Sequence, residues 1–412
     1  FAKYRVSVYK RNQLLIPFVT LQIFRYFNST EYLILRILQA NSIGLRAPCM
    51  QTYQSIRFTK TNRDFQSTLN KRIHTFFKEN NLERYGNFEM HLKTVFMFSL
   101  YFAPFVVFLS GGASHFLVAI LLWVLMGMGL AGIGLSVMHD ACHQSYSRKK
   151  WKNDLLAYSL NMLGASSFNW KLQHNVLHHT FTNVHEVDED IDSRGILRLS
   201  PDSERKGYHR FQHIYAWVLY GLMTFVWVFV KDFIRLKRYK NNGLIEQVKA
   251  NSKREWAILI ATKVFYISYV LVLPLLITSY PWYYTILGFA AMHYVAGLAL
   301  AAIFQPAHVT PETEFPNAHA TGIIENSFAA HQLSTTKNFA QNNFLFSWFV
   351  GGLNYQVEHH LFPHICHVHY RKISPIVAET AREFNLPYYS DPTFAEALRS
   401  HTRHLKRMGR GN

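Results

Sequence analysis

Three short stretches of the chain concentrate imidazoles. They are HDACH (residues 139–143), HNVLHH (174–179) and the EHH of NYQVEHHLFPHICHVHY (354–370), a segment with five histidines in seventeen positions. His139 and His143 stand four residues apart, as do His174 and His178, so on a helix each pair shares a face and converges on one point. Neighbours such as His178/His179 and His359/His360 diverge by about 100° on a helix of about 3.6 residues per turn, so that one of each can face a separate ion. Imidazole suits iron, zinc and copper. The seven histidines of the three clusters exceed the ligand set of one tetrahedral zinc, and two metals are the economical reading. Cys49, Cys142 and Cys366 are too few and too scattered for a disulfide framework or a thiolate metal site. A lone histidine on an apolar helix is ordinarily a satisfied core residue; three clusters reverse that reading.

The elements that must position these groups are apolar. Of 412 residues, 49% are hydrophobic, 16% aromatic and only 17% charged, which is the composition of a membrane protein. Runs at 93–109, 115–138, 257–279 and 282–304 are each suited to crossing a hydrocarbon core of roughly 30 Å. Short links containing SGGAS and Pro281 pair them into two hairpins. The second run is dense in Gly127, Gly129, Ala131, Gly132 and Gly134, residues that let helices approach closely in lipid. The run at 214–230 is only marginally long enough. Residues 231–255 after it carry eight Lys/Arg against three acids, which the positive-inside rule places in the cytoplasm. The run is therefore expected to lie in the interface or to dip in and return, leaving four full spans.

On this topology all three clusters sit at or beyond span ends on one cytoplasmic face, and His308, in FQPAH just after the fourth run, reaches the same face as an eighth imidazole. The expected fold is an all-α integral membrane protein with four transmembrane helices in two hairpins and a cytoplasmic helical cap holding a histidine-ligated centre. The formal charge of +18 marks a membrane face with anionic headgroups; no nucleic-acid recognition module accompanies it. A histidine-lined metal transporter would place its polar groups at mid-membrane. A zinc hydrolase would leave most of the histidines unused.

The ordered boxes His139-Asp-Ala-Cys-His143, His174-Asn-Val-Leu-His178-His179 and Gln356-Val-Glu-His359-His360 resemble those of the membrane fatty acid desaturases over residues 93–390. Gln356 in the first position of the third box, with LFP after it, is similar to the front-end desaturases, which add a double bond between an existing one and the carboxyl end. The resemblance implies a non-haem di-iron centre, O2 as co-substrate and His308 as a further ligand. It implies a Δ5/Δ6-like activity in lipid metabolism on an acyl chain, either acyl-CoA (linoleoyl-CoA desaturase-like) or phospholipid-bound. Removal of one hydrogen gives a carbon radical and removal of the next gives the alkene; a hydroxylase on the same scaffold differs only in how that radical is positioned. Many eukaryotic front-end enzymes carry a fused cytochrome b5 domain with a His-Pro-Gly-Gly motif, and this sequence has no such motif. Electrons are accordingly expected from an external donor, a ferredoxin or a separate cytochrome b5 with its reductase, and a bacterial inner membrane is expected over the endoplasmic reticulum.

Other residues carry weaker signals. Gln356 stands three residues before His359 and is a candidate to orient a ligand, bind metal weakly or touch substrate. DEDID (188–192) offers Asp188 and Asp192 as carboxylates able to fix ligand imidazoles, or a solvated acidic turn. Lys171, Arg194 and Arg198 are candidates to grip a phosphate headgroup or coenzyme A. His293, mid-span in AAMHYVAG, is either bonded to a neighbouring helix or lines a substrate tunnel. Lys263 is expected to snorkel. His364, His367 and His369 follow the helix-breaking Pro363 and are expected on the surface or behind the ligands, HQLSTTKNF (331–339) has the look of a family segment near the tunnel mouth, and His319 is expected outside the centre. The chain is accordingly expected to divide into an extension without a recognisable fold (1–49), an N-terminal cytoplasmic segment (50–92), the desaturase domain that the resemblance implies (93–390) and a basic tail (391–412).

Overall fold

The computed structural model describes residues 56–59, 61–318 and 322–411, so the 1–49 extension and His319 lie outside the described residues. In chain order the elements used below begin with β1 (Arg57–Phe58), α1 (Arg63–Glu79), α2 (Phe88–Leu109), α3 (Phe116–Cys142), α4 (Lys150–Ala157) and α5 (Ser167–Trp170). Next come α6 (Gly207–Gly221), α7 (Met223–Asn241), α8 (Ser252–Ile277), α9 (Trp282–His308), β2 (Ile323–Ile324) and α10 (Phe328–Thr335). The last are β3 (Lys337–Phe339), α11 (Gln356–Leu361), α12 (Tyr370–Glu383), β4 (Tyr389–Asp391) and α13 (Phe394–Arg410).

Among the described residues, helices α2, α3, α8 and α9 are the four that are long and apolar enough, each by itself, to cross a membrane. The bent pair α6–α7 passes the same test only when joined, and it turns by 57° at Leu222, the geometry of a broken span or of a re-entrant excursion. α3 lies between α2 and α9. A Cβ on Gly129 would stand 2.5 Å from the Tyr101 nitrogen, and one on Gly127 would stand 2.5 Å from the Met292 carbonyl oxygen. Within lipid, where apolar surface gains little by leaving the tails, such backbone proximity is what packs helices together, and any side chain at these two positions would force the helices apart.

Among the described residues four helical stretches are π-helical, and two of them lead into the histidines. The last turns of α3 contain a π-helical stretch, Ile133–Met138, directly ahead of His139, and α5 runs on as a second, Lys171–His178, whose pattern closes with the His179 N–H donating to the His174 carbonyl (2.9 Å). Each wide turn fits one residue more than an α-helix would hold.

The remaining elements gather over the ends of α3 and α9. Phe65, Leu69 and Ile73 of α1 pack with Ile373, Val377 and Ala381 of α12 in one buried cluster. The departure from an all-helical chain is small: β1 pairs with β2 and β3 with β4, both parallel, in strands of two or three residues.

The 391–412 segment differs from the tail expected of it. Thr393 and Glu396 form a reciprocal capping box at the start of α13. The helix then buries Ala397, His401, His404, Leu405 and Met408, and Leu405 joins Ala216 and Tyr220 of α6 and Ala301 of α9 in a common core. Small and apolar residues at helical spacing opposite a run of cations explain the packing.

Lys263 also differs from expectation. It does not reach for the interface: it is buried, and its Nζ donates to Asp232 Oδ2 (2.7 Å) and to the carbonyls of Gly164 (2.5 Å) and Trp227 (3.2 Å). Asp232 in turn accepts the Ser166 N–H (2.9 Å) and the Asn169 amide (3.2 Å), so the ion pair joins α8 and α7 to the start of α5. A buried counter-charge and two carbonyls replace the water that snorkelling would have provided.

Candidate metal centre

Four elements deliver imidazoles to one buried volume. The end of α3 brings His139 and His143, the wide turn after α5 brings His174, His178 and His179, the last residue of α9 is His308, and α11 carries His359 and His360. One ring nitrogen from each of His139, His143, His174 and His359 lies within 4.8 Å of the others, and the same holds for His178, His308 and His360. His179 stands between the groups: its Nε2 is 2.9 Å from that of His359 and 3.2 Å from that of His174, and its ring stacks on His360 at 4.3 Å.

His359 and His360 point into different sets, as adjacent residues on a helix do, while both also come within 4.8 Å of His179. His174 and His178 do converge as expected, stacking at 5.3 Å and offering ring nitrogens within 4.8 Å of each other and of Asp190, while each also joins a different set of histidines. The wide turn also brings His179, five residues on, back toward His174. Asp190 Oδ2 lies 3.6 Å from His178 Nδ1, within reach of both rings' turn.

On three of the rings, His178, His308 and His360, the outer nitrogen is held and the inner one is bare. His178 Nδ1–H donates to Asp188 Oδ2 (3.0 Å), His308 Nδ1–H to the Thr335 carbonyl (3.2 Å) and His360 Nδ1–H to Gln332 Oε1 (2.8 Å), while His359 Nδ1 meets the Tyr370 hydroxyl (3.2 Å). On the facing side, Nε2 of His143, His178, His308 and His360 is buried without a hydrogen-bond partner. A buried polar atom with no partner is costly, and four of them aimed into one volume fit bound cations. Burial, then the neighbouring imidazoles, holds His174, His179, His359 and His360 well below the usual histidine range, so they are neutral and offer lone pairs. Burial opposes charge on His178 too, but the Asp188 carboxylate outweighs it and the ring's pKa rises. The donor set, neutral imidazoles backed by acceptors, suits a transition metal.

The supports are largely residues that spacing did not single out. Gln332 accepts from His360, accepts from the Thr182 hydroxyl (3.1 Å) and donates to the His179 carbonyl (3.1 Å), so one amide ties box two to box three. Glu358, whose carboxyl is pushed up by burial, accepts from Tyr388 (2.6 Å) and Asn338 (2.9 Å), and Asn338 Oδ1 takes the Val357 N–H (2.9 Å). Gln332 and Asn338 both belong to the HQLSTTKNF segment; its composition was the available signal, without a mechanism attached. Asp140, inside box one, accepts from His367 Nδ1–H (2.8 Å), the His367 N–H (3.2 Å) and the Cys366 thiol (2.9 Å), and Lys93 Nζ reaches His367 Nε2 (2.6 Å). His367 and His369 are therefore buried, whereas His364 is exposed.

Several candidates stand elsewhere. Asp192 is exposed and accepts the Arg194 N–H (2.8 Å); Asp190, two residues earlier, is the second carboxylate beside His178, because the loop turns Asp192 outward. Arg194 is exposed, and Lys171 is 4.0 Å from Asp154. The Arg198 guanidinium is committed to the carbonyls of Pro201, Ser203 and Met408. His293 is buried between the Tyr266 hydroxyl (2.7 Å) and Thr224 Oγ1 (3.1 Å), a satisfied histidine with no free nitrogen for a substrate. Gln356 is buried on α11 with both amide atoms unpartnered.

Comparison with known proteins adds an independent line. A family profile described as fatty acid desaturase matches residues 114–392. The chain is 36% identical to the sn-1 linoleoyl-lipid 6-desaturase of Synechocystis sp. over 366 residues, 88% of this chain and 100% of that protein. It is 36% identical to the acyl-lipid (8-3)-desaturase of Physcomitrium patens over 352 residues, 84% of this chain and 72% of that protein. It is 30% identical to the acyl-lipid (8-3)-desaturase of Mortierella alpina over 358 residues, 84% of this chain and 78% of that protein. With a helical membrane architecture, clustered imidazoles and these relatives together, the chain belongs to the fatty acid desaturase family, as an oxidoreductase of the front-end type.

Proposed function

We propose that the eight histidines hold two iron ions, with His139, His143, His174 and His359 about one, His178, His308 and His360 about the other, and His179 at the boundary. The observation that carries this reading is the paired pattern of anchored Nδ1 and bare, buried Nε2 atoms. When bound, the irons with O2 supply the oxidising power to break unactivated C–H bonds, which no side chain can do. In balance, a CH2–CH2 pair, one O2, two electrons and two protons become a cis CH=CH and two waters. The electrons come from an external one-electron carrier, a ferredoxin or a separate cytochrome b5 with its reductase. The protein's own part is positioning: Asp188, Thr335 and Gln332 fix the ring orientations, and Gln356, buried and unpaired on the ligand helix, faces the metal or the chain.

The substrate in this reading is a lipid-bound acyl chain of the linoleoyl type, desaturated between its existing double bond and the carboxyl end; the acyl-lipid and linoleoyl-lipid desaturases among the relatives support this. Residues 93–390 form the desaturase domain, its centre faces the cytoplasm, and the excess of cations over acids in residues 231–255 supports that side. Expression in a desaturase-deficient host fed linoleic acid, followed by gas chromatography and mass spectrometry of separated lipid classes, should yield a new cis double bond near the carboxyl end of lipid-bound chains. A hydroxylated product, or desaturation confined to acyl-CoA, would overturn the reading. For sidedness, a cysteine introduced at Asn242 should resist an impermeant thiol reagent in intact cells.

A further inference from the structure

Two basic surfaces of the molecule differ in kind. Beside α4, Arg148, Lys149 and Lys150 border the exposed Trp151 and Leu155, and the chain just after α4 packs against the middle of α8, where the Tyr269 hydroxyl donates to the Met162 carbonyl (2.8 Å). Mixed aromatic, aliphatic and basic exposure at the depth of a spanning helix is a face turned to lipid and headgroups.

The outer face of α13 is of another sort. Arg399, Arg403, Lys406 and Arg410 are all exposed and follow one another at helical spacing, so they form one stripe. None of the four makes an ion pair among the described residues, and none of the large exposed hydrophobics belongs to this helix. The opposite face is anchored beside the centre. His401 Nδ1–H donates to the carbonyl of Val309 (2.8 Å), the residue bonded to His308, and His401 Nε2 meets the Tyr220 hydroxyl (2.8 Å). The cationic stripe thus lies about one helix diameter, about 10 Å, from the backbone that carries a candidate ligand.

We propose that the exposed face of α13 is the docking surface for an acidic one-electron carrier protein. The inference rests on the desaturase reading with an external donor and adds where that donor binds. A row of unpaired cations without an apolar anchor steers and orients an acidic protein, whereas insertion into lipid calls for the exposed aromatic and aliphatic groups seen near α4. The path inward from the stripe, through His401 and the Val309 backbone, ends at His308.

The test uses the full-length, iron-loaded protein in nanodiscs of phosphatidylcholine, and a variant with Arg399→Gln, Arg403→Gln, Lys406→Gln and Arg410→Gln; a second variant carries Glu at the same four positions. Each is reduced in single turnover by dithionite, and in steady state by an acidic plant-type ferredoxin or by the soluble haem domain of cytochrome b5. Dithionite-driven product should match the wild type in both variants. The apparent KM for whichever carrier supports turnover should rise about tenfold in the Gln variant and further in the Glu variant, and its salt dependence should flatten. An unchanged KM and salt dependence, turnover of the wild type by neither carrier, or a defect that appears only in nanodiscs containing phosphatidylglycerol would overturn the proposal, the last because it marks the stripe as a headgroup site. No product from dithionite-reduced wild type would instead overturn the desaturase reading, and the docking inference with it.

Discussion

The histidine centre and the polar groups inside the helical bundle place the same kinds of side chain in similarly dry surroundings, and they treat them in opposite ways. Around His293 and Lys263 every polar atom is answered: a hydroxyl on each side of the imidazole, and a carboxylate and two carbonyls on the ammonium. In the centre His178, His308 and His360 are answered on the outer nitrogen only. Burial of a polar group therefore marks nothing by itself; a convergent set of unanswered atoms is the mark of a site, because such a set is stable only when something is bound.

The sharpest way to break this contrast is to remove one bare nitrogen. His308→Ala and His360→Ala should each lower bound iron and abolish product, measured by elemental analysis on purified protein together with lipid analysis. Full iron and full activity in the His308 variant would reduce the ligand set to the seven box histidines. A smaller effect is expected behind the rings. Gln332→Leu leaves the His360 Nδ1–H only the more distant Thr182 hydroxyl (3.3 Å), and Asp188→Asn removes the nearer of the two carboxylates facing His178; each should cost about 10–100-fold in metal affinity, read by chelator competition. Metal affinity equal to wild type in both would show that the outer hydrogen bonds are incidental.

Within the bundle the order of effects should invert, with stability changed and chemistry spared. Lys263→Met leaves Asp232 buried without its cation and should destabilise by about 3–5 kcal/mol, whereas Lys263→Met with Asp232→Asn should regain much of that loss. Thermal unfolding in detergent reads both, and iron per folded molecule should stay constant. The least effect is expected of His293→Phe, which strands the Tyr266 hydroxyl at about 1–3 kcal/mol and should leave turnover per folded molecule unchanged. A change of regiochemistry in that variant would return His293 to the substrate path.

Much of this was legible from residue order, and the rest was hidden for identifiable reasons. Apolar run lengths located α2, α3, α8 and α9, and box spacing named the histidines. The return of His179 toward His174 was not readable, since an α-helix and a wide turn look alike as a string of residues. Gln332 and Thr335 escaped because an amide oxygen and a backbone carbonyl leave no spacing signature, and Asn338 because its partner Glu358 is distant in the chain. Lys263 was misplaced because Asp232 sits on α7, beyond a bend that hydropathy does not report. The cations of α13 were visible as a basic end; the His401 and Leu405 face that turns them into an ordered ridge depends on what α6 and α9 present to it.

The wide turn over Lys171–His178 has a consequence for how this protein can change. Such a turn is an α-helix with one residue too many, so deleting a single residue within it would restore regular backbone bonding and make the segment locally more comfortable. The same deletion would swing His178 and His179 round the helix and away from their groups. Ordinary point replacements near the turn test side chains one at a time, but loss of one codon there would improve the helix and empty the site. The centre thus persists against a local gain in regularity, and the extra residue is a place where selection for function and selection for foldability pull in opposite directions.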